Sequence, residues 1–429
     1  MLDIRHIREN ADEVRRRLAT RGRGDEKGIA EVLIQDEVRR ALLVQVETLK
    51  ADRNKASKEI GIRKGKGEPA DDLMARMKQV SDEIAQLDVQ VAEVEAAQQR
   101  LLLTIPNLPH PSVPVGDAAA NRVERTWGQP ASFAFAPKTH MEIGTARGLL
   151  DFTQASKISG SGFIVFRGKG ARLERALIQY LLDFHTREAQ PEGSGLLSYT
   201  EVSPPFLVRG DAMTGTGQLP KFAEDMYKLE GEDLYLVPTA EVPVTNLHRE
   251  EIVPAERLPI RYAAYTPCFR REAGSAGRDN RGMIRVHQFD KVELVQIVRP
   301  EESEQALERL VAQVEAVLQS LGLHYRVLTL STGDMSGNAA KCYDLEVWAP
   351  ALQTWHEVSS CSNFGDYQAR RMGLRFKDEA GKNQFCHTLN GSGTALARLF
   401  IAVLETYQQS DGRVLLPEKL RPYIGMDSL

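Results

Sequence analysis

The stretch Thr266-Pro-Cys-Phe-Arg-Arg-Glu-Ala-Gly274, followed by Arg278-Asp-Asn-Arg-Gly282 and Ile284-Arg-Val-His-Gln-Phe-Asp-Lys-Val-Glu293-Leu-Val295, sets the fold and the chemistry of this chain. Two β-prone apolar runs flank a glycine-rich polar loop carrying Arg271, Arg278 and Arg281. That pattern predicts two antiparallel strands joined by a long loop, with strands over 260–269 and 283–298. Side chains alternate across a strand, so one face is a charged floor and the other packs on a core. Arg270 and Glu272 share a face, as do Phe289, Lys291 and Glu293. Charges are seldom buried unless paired, so this floor is poor core material. It suits a ligand that is anionic, aromatic and amino-bearing at once, such as a nucleotide beside an amino acid.

Outward from that stretch, residues 135–429 mix short strands with amphipathic helices at 172–186, 303–321 and 396–408. Strands come mostly as hairpins (343–348 with 355–359), without regular βαβ alternation. The class is therefore α+β, an antiparallel sheet with helices packed on it. The segment 199–208, with Pro204-Pro205, reads as an extended edge because proline lacks a ladder donor. Asn390-Gly-Ser-Gly393 reads as a turn, with Arg398 about two turns into the helix after it.

Before this domain, Leu42, Val46, Leu49, Arg53, Ala56 and Ile60 alternate steps of four and three. The pattern resumes from Leu73 through Met77, Val80, Ile84, Leu87, Val91 and Val94 to Ile105. Such seams predict two coiled-coil segments. Gly61 to Pro69 should turn the chain between them, giving an antiparallel hairpin of about 40–50 Å that projects as an arm. Its first helix and tip carry Lys50, Arg53, Lys55, Lys58, Arg63, Lys64 and Lys66 against Asp52 and Glu59. A solvated coiled-coil face is the bland explanation, and a nucleic-acid backbone contact is the sharp one. Prolines 106, 109, 111 and 114 place a linker at 111–134, between an arm domain (1–110) and the second domain (135–429).

Composition narrows the class further. The 429 residues are 42% hydrophobic and 27% charged, with a net charge of -4 and a pI near 6.2. That excludes a globally basic nucleic-acid binder and leaves only a local patch. Cys268, Cys342, Cys361 and Cys386 are scattered without a C-x-x-C pair, so neither a disulfide framework nor a zinc ribbon is expected. No apolar run approaches the span of a signal peptide or a membrane helix, which predicts a cytoplasmic protein with no membrane partner.

Three further groups add chemistry. Pro238-Thr239-Ala240-Glu241 follows a strand and places a hydroxyl and a carboxylate at a sheet end. Tyr343-Asp-Leu-Glu-Val-Trp348 precedes Glu357-Val-Ser-Ser360, in which Glu357 and Ser360 are hard oxygen donors suited to one Mg²⁺. Asn390-Gly-Ser-Gly393 with Arg398 forms a candidate phosphate site.

Together these residues resemble class II aminoacyl-tRNA synthetases and, within them, the seryl-tRNA synthetases of bacterial type, over essentially the whole chain. Pro205 is similar to the first class motif, which in the family lies at a homodimer interface. Phe269-Arg-Arg-Glu272 with Arg285-Val-His-Gln-Phe289 resembles the second motif, and Asn390 through Arg398 the third. Gly217-Gln-Leu-Pro-Lys-Phe222, Thr239-Ala-Glu241, Phe289-Asp-Lys-Val-Glu293 and Glu357-Val-Ser-Ser360 are similar to the seryl subset. Arg271 and Gly162 depart from the family, which often has serine and arginine there, and the cysteine spacing does not match its zinc-dependent archaeal subtype.

The resemblance implies an enzyme that activates L-serine with ATP and passes it to serine tRNA, with selenocysteine tRNA as a further candidate substrate. It implies ATP contacts from Arg270, Arg271, Glu272, Val286, Phe289, Glu357, Val358, Ser359, Ser360 and Arg398. Serine contacts fall to Thr239, Ala240, Glu241, Arg270, Glu293, Asn390 and Ser392, and Mg²⁺ to Glu357 and Ser360. Arg270, Glu357 and Arg398 become the catalytic set, with no zinc expected. The basic strip (Lys50, Arg53, Lys55, Lys58, Arg63, Lys64) becomes a tRNA contact, with Arg278 at the acceptor end. Two rivals stand beside this reading. A synthetase-like paralogue that loads a carrier protein or has lost catalysis would not need both the arm and the full charged set, and an inert coiled-coil scaffold would have no use for the charged set.

Overall fold

The structure is a computed structural model that describes residues 1–187, 190, 194–273 and 282–429. Arg278 and Arg281, expected at the loop between the two strands, lie outside the described residues. The chain divides into two compact units, one of residues 1–19 and 23–106, the other of residues 20–22 and 107–429.

In the first unit, α1 (Ile4–Glu9) and α2 (Ala11–Ala19) precede the long helices α3 (Gly28–Gly65) and α4 (Asp71–Thr104). Val46, Leu87 and Val91 bury one another, with Leu42 and Leu49 packed alongside, so the heptad seams face each other. The pairs Arg39–Glu95, Lys50–Asp88 and Arg63–Asp72 advance along one helix as they retreat along the other, which fixes the hairpin as antiparallel. The turn comes later than expected. Nothing lies within 4 Å of a Cβ placed at Gly61 or Gly65, so both sit in the helix at its open face. Gly67, with φ of +71°, makes the reversal, and the backbone of Glu68 closes on Arg63. At 38 residues α3 is about 57 Å long.

The second unit is built on an eight-stranded sheet. Its strands are β1 (Arg122–Trp127), β2 (Thr200–Glu201), β3 (Ile260–Phe269), β4 (Gln288–Val298), β5 (Tyr325–Thr329), β6 (Lys341–Ala349), β7 (Thr354–Asn363) and β8 (His387–Ala395). Their order is β1-β5-β6-β7-β8-β4-β3-β2, antiparallel except for the short parallel β2–β3 pair. The segment 111–134, expected as a linker, contributes β1 through the run Arg-Val-Glu-Arg-Thr-Trp, which pairs with β5. Against the sheet pack α5 (Lys169–Thr186), α7 (Ser303–Ser320) and α9 (Leu396–Thr406), whose apolar faces form the main core. Among the short helices between them in sequence are α6 (Glu241–Thr245) and α8 (Tyr367–Met372).

Asn390-Gly-Ser-Gly393 is not a turn but the middle of β8. Its glycines answer to packing. A Cβ on Gly391 would sit 2.8 Å from Cys361 Sγ, and one on Gly393 2.8 Å from His185 Nε2. Arg398 consequently lies in the first turn of α9, not two turns in.

Candidate active site

The floor of β4 and the end of β3 open into a cavity of about 400 Å³. It adjoins a second one of about 150 Å³, and Arg270, Glu272, Arg285, Lys291, Glu357 and Ser392 line both. The larger holds Thr239, Glu241, Glu293, Ser360 and Asn390, and the smaller Val286, Phe289 and Arg398. Sheet pairing explains the convergence. Glu293 is opposite Ser392, Lys291 is opposite Ala395 across a register shift, and Phe289 is opposite Cys268.

Glu357 and Ser360 are three residues apart, which on a regular strand sends their side chains to opposite faces. Here Ser359 pairs with Leu345 and Glu357 with Glu346, so Val358 is an extra residue on β7. This β-bulge brings Glu357 and Ser360 to the same cavity. Val358 itself joins the core, and Ser359 Oγ donates to Ser392 O at 2.6 Å. Ala240 packs with Val244, Ala264 and Val295. Arg271 is exposed, with its backbone N–H on Asp225 O. These four side chains therefore line neither cavity, Val358, Ser359 and Ala240 because they are buried in packing and Arg271 because it is exposed outside both.

Within the larger cavity the charges are tied together. Lys291 Nζ donates to Thr239 Oγ1 at 2.8 Å and lies 2.5 Å from Glu293 Oε2. Asn390 Nδ2 donates to Glu293 Oε1 at 3.0 Å. The buried Glu293 Oε2 has no donor oriented along a hydrogen bond. Glu241 accepts from Gln368 Nε2 at 2.7 Å. Burial, then the neighbouring Glu293 charge, push the Glu241 carboxyl up to about 7. Gln368 is held in turn, donating to Thr216 O at 3.1 Å and accepting from Thr388 Oγ1 at 2.7 Å.

In the smaller cavity the Arg270 guanidinium stands 5.1 Å from the Phe289 ring centroid, a cation–π distance, and its Nε donates to Pro238 O. Arg398 is fixed by Ile284 O at 3.1 Å and Glu357 O at 2.8 Å. Glu272 adopts φ of +50°, which a non-glycine residue rarely takes, and its carboxylate pairs with Arg285. Behind β7, Asp344 is buried opposite Ser360, and burial followed by the Glu357 charge holds its carboxyl well above the usual range.

Sequence reasoning passed over Lys291 as a site residue although its place beside Glu293 in the alternation marked it. Gln368 carried no sequence signal, because it arrives from a separate helix. On the arm, Lys55, Lys58 and Lys64 are exposed, whereas Lys50 and Arg63 already pair with Asp88 and Glu59. Gly162 has φ of +80°, and a Cβ there would strike the His287 ring, so an arginine does not fit this backbone.

The chain is similar to known proteins along its whole length. Residues 1–109 match the seryl-tRNA synthetase N-terminal domain, and residues 225–407 match the tRNA synthetase class II core domain (G, H, P, S and T). The serine–tRNA ligase of Carboxydothermus hydrogenoformans is 54% identical over 431 aligned positions, covering 100% of this chain and 99% of the relative. That of Akkermansia muciniphila is 55% identical with the same coverage. The crystal structure of seryl-tRNA synthetase from Pyrococcus horikoshii complexed with ATP superposes with a TM-score of 0.92 at 38% identity, over 100% of this chain and 99% of that one. An antiparallel synthetase sheet, a helical hairpin and matches of this extent lead to one assignment: the chain belongs to the seryl-tRNA synthetase family of class II aminoacyl-tRNA synthetases.

Proposed function

We propose that the two adjoining cavities hold serine and ATP side by side, and that the chain is a serine–tRNA ligase. It forms seryl-adenylate with release of diphosphate and passes the seryl group to the terminal ribose of serine tRNA. The observation that carries this reading is Arg270, which lines both cavities at once. The serine carboxylate attacks the α-phosphate, and both partners are anions. Rate enhancement therefore comes from charge neutralisation and alignment rather than from a general base.

Arg270 bridges the serine carboxylate and the α-phosphate. Phe289 stacks under adenine, with Glu272 toward the adenine amino group and Val286 at its edge. Arg398, fixed in the first turn of α9, takes the γ-phosphate. Glu241 receives the serine ammonium. Glu293 Oε2, which Lys291 meets as an ion pair, accepts from the serine hydroxyl, with Thr239 and Ser392 closing the pocket. Glu357 and Ser360, brought together by the bulge, form a hard-oxygen pair that fits Mg²⁺, leaving its other positions to phosphate and water. The metal supplies neutralisation of the phosphate charge when bound.

The hairpin's exposed Lys55, Lys58 and Lys64, with Lys50, Arg53 and Arg63, contact the tRNA backbone, and Arg278 meets the acceptor end. Pro205, beside the exposed Phe206 and Leu207, belongs to a homodimer interface. No helix among the described residues is long and apolar enough to cross a membrane, and we place the reaction in the cytoplasm.

Serine-dependent ATP–pyrophosphate exchange followed by charging of serine and selenocysteine tRNAs tests the reading. Arg270→Ala should lower exchange about 10²–10³-fold, the usual loss for one positioned charge donor. Near-normal exchange refutes its role, and exchange without charging would point to a carrier-loading enzyme.

A further inference from the structure

Behind the wall of the smaller cavity lies a third one of about 110 Å³. Phe289 and Ala397 line both. The remaining walls are the apolar Phe163, Ile164 and Phe166 and the polar Gln288, Glu174 and Asp290. Glu174 reaches in from α5 and is 6% exposed. Its Oε2 is buried and has no hydrogen-bond partner. Asp290 comes from β4, between Phe289 and Lys291, and accepts from Tyr265 Oη at 2.8 Å. Neither carboxyl is ion-paired to a cation among the described residues. Lys291, the nearest in sequence, is turned to the opposite face and engaged with Glu293.

A buried carboxylate without a partner is costly, and two sharing one cavity repel each other. Burial and then Asp290 hold the Glu174 carboxyl well above its usual range, and burial raises Asp290 too. The space between them exceeds what a single water needs. Two carboxyls and one amide are too few oxygens for calcium, and aromatic walls do not suit strongly hydrated magnesium. A weakly hydrated monovalent ion fits both features, since aromatic faces attract cations and carboxylates neutralise them.

We propose that this cavity binds one small monovalent cation of potassium or ammonium size between Glu174 and Asp290. The ion locks α5 to β4 directly behind Phe289. It thereby steadies the ring on which adenine stacks, a consequence that rests on the proposed nucleotide site.

The test uses the full chain in nitrate salts at constant ionic strength, with potassium or ammonium compared against N-methylglucammonium, whose sugar-alcohol chain is too bulky for the cavity. We expect a saturable rise in melting temperature of several degrees with potassium or ammonium only, and a several-fold lower KM for ATP. Glu174→Gln should lose both responses. A ²⁰⁵Tl NMR titration of the unsubstituted chain gives a direct reading should that variant fold poorly. Bound thallium should be displaced by potassium and not by N-methylglucammonium. Absence of a bound thallium signal, or equal melting in all three salts, overturns the proposal and leaves the pair sharing only a proton. An unchanged potassium response in Glu174→Gln overturns it as well. The melting and NMR readings do not depend on the reaction, so their failure is separable from failure of the ATP assignment.

Discussion

Replacing Gln368 by leucine should disable the proposed serine ammonium subsite while leaving the proposed nucleotide side intact. Gln368 is 1% exposed and touches no proposed substrate contact except Glu241, to which its Nε2 donates at 2.7 Å. A hydrogen bond from a neutral donor to a charged group contributes about 1.5–3 kcal/mol. One pH unit in a carboxyl's titration corresponds to about 1.4 kcal/mol. Loss of this bond should therefore raise the Glu241 midpoint by about one to two pH units, starting from about 7 in the empty pocket.

The sign follows from the carboxyl being raised. It is neutral below its midpoint, and only the ionised form attracts an ammonium. In the unsubstituted enzyme the KM for serine should climb as pH falls below about 7, approaching ten-fold per unit. In Gln368→Leu the same climb should begin about one to two units higher, so at pH 7.5 the serine KM is raised roughly ten-fold and recovers toward pH 9. The ATP KM should not move. Pyrophosphate exchange measured from pH 6 to 9 at varied serine and then varied ATP provides the reading. A serine KM profile that does not shift, or an ATP KM that rises in parallel, would show that Gln368 serves only to hold α8 in place.

Glu293→Gln should relax the choice between serine and alanine by about 10² or more from an initial ratio of roughly 10⁴, because rejection of alanine depends on a buried acceptor left unpaired; exchange with each amino acid measures it. The triple change Lys55→Ala, Lys58→Ala and Lys64→Ala should spare exchange, weaken charging, and flatten the salt dependence of tRNA binding by about one unit of log–log slope for each lysine that meets a phosphate. Gly391→Ala should cost about 1–3 kcal/mol of stability by urea unfolding, since its Cβ would fall 2.8 Å from Cys361 Sγ and 3.2 Å from Leu310 Cδ2 in a packed core.

The elements most visible in the sequence were those with an uninterrupted period. The heptad seams placed α3 and α4, and alternation placed β3 over 260–269 and β4 within the expected 283–298, although β4 begins only at Gln288. Glycine misled twice. At Gly61 it suggested a helix end, but the position is solvent-facing and tolerates glycine within a long helix. At Gly391 and Gly393 it suggested a turn, but close approach of Cys361 and His185 demands the small residue inside a strand. Proline misled once, since the cluster ending at Pro114 hid a six-residue strand that begins only at Arg122. In each case the deciding contact is with a residue far along the chain, beyond the reach of any local pattern.

The proposed serine pocket shows why the site was only half legible. Period-two alternation puts Lys291 and Glu293 on one face, but nothing local says that Lys291 also donates to Thr239, or that Asn390 holds the other Glu293 oxygen. These partners settle the charge of the cavity. Lys291 and Glu293 neutralise each other at 2.5 Å, which leaves Arg270 as an available cation and Glu241 as a carboxyl near its midpoint. In the proposed binding mode a zwitterion would match that remainder, with its carboxylate on Arg270 and its ammonium drawing Glu241 into the ionised state. Binding thus adds one charge of each sign where one of each is answered, and the buried pocket avoids an uncompensated charge. An amino alcohol without the carboxylate would leave Arg270 unanswered, and a hydroxy acid without the ammonium would leave Glu241 neutral and Arg270 alone engaged. In the proposed mode discrimination against both follows from the same balance, and the hydroxyl of serine is left to Glu293, whose second oxygen otherwise meets only the Lys291 ammonium as an ion pair.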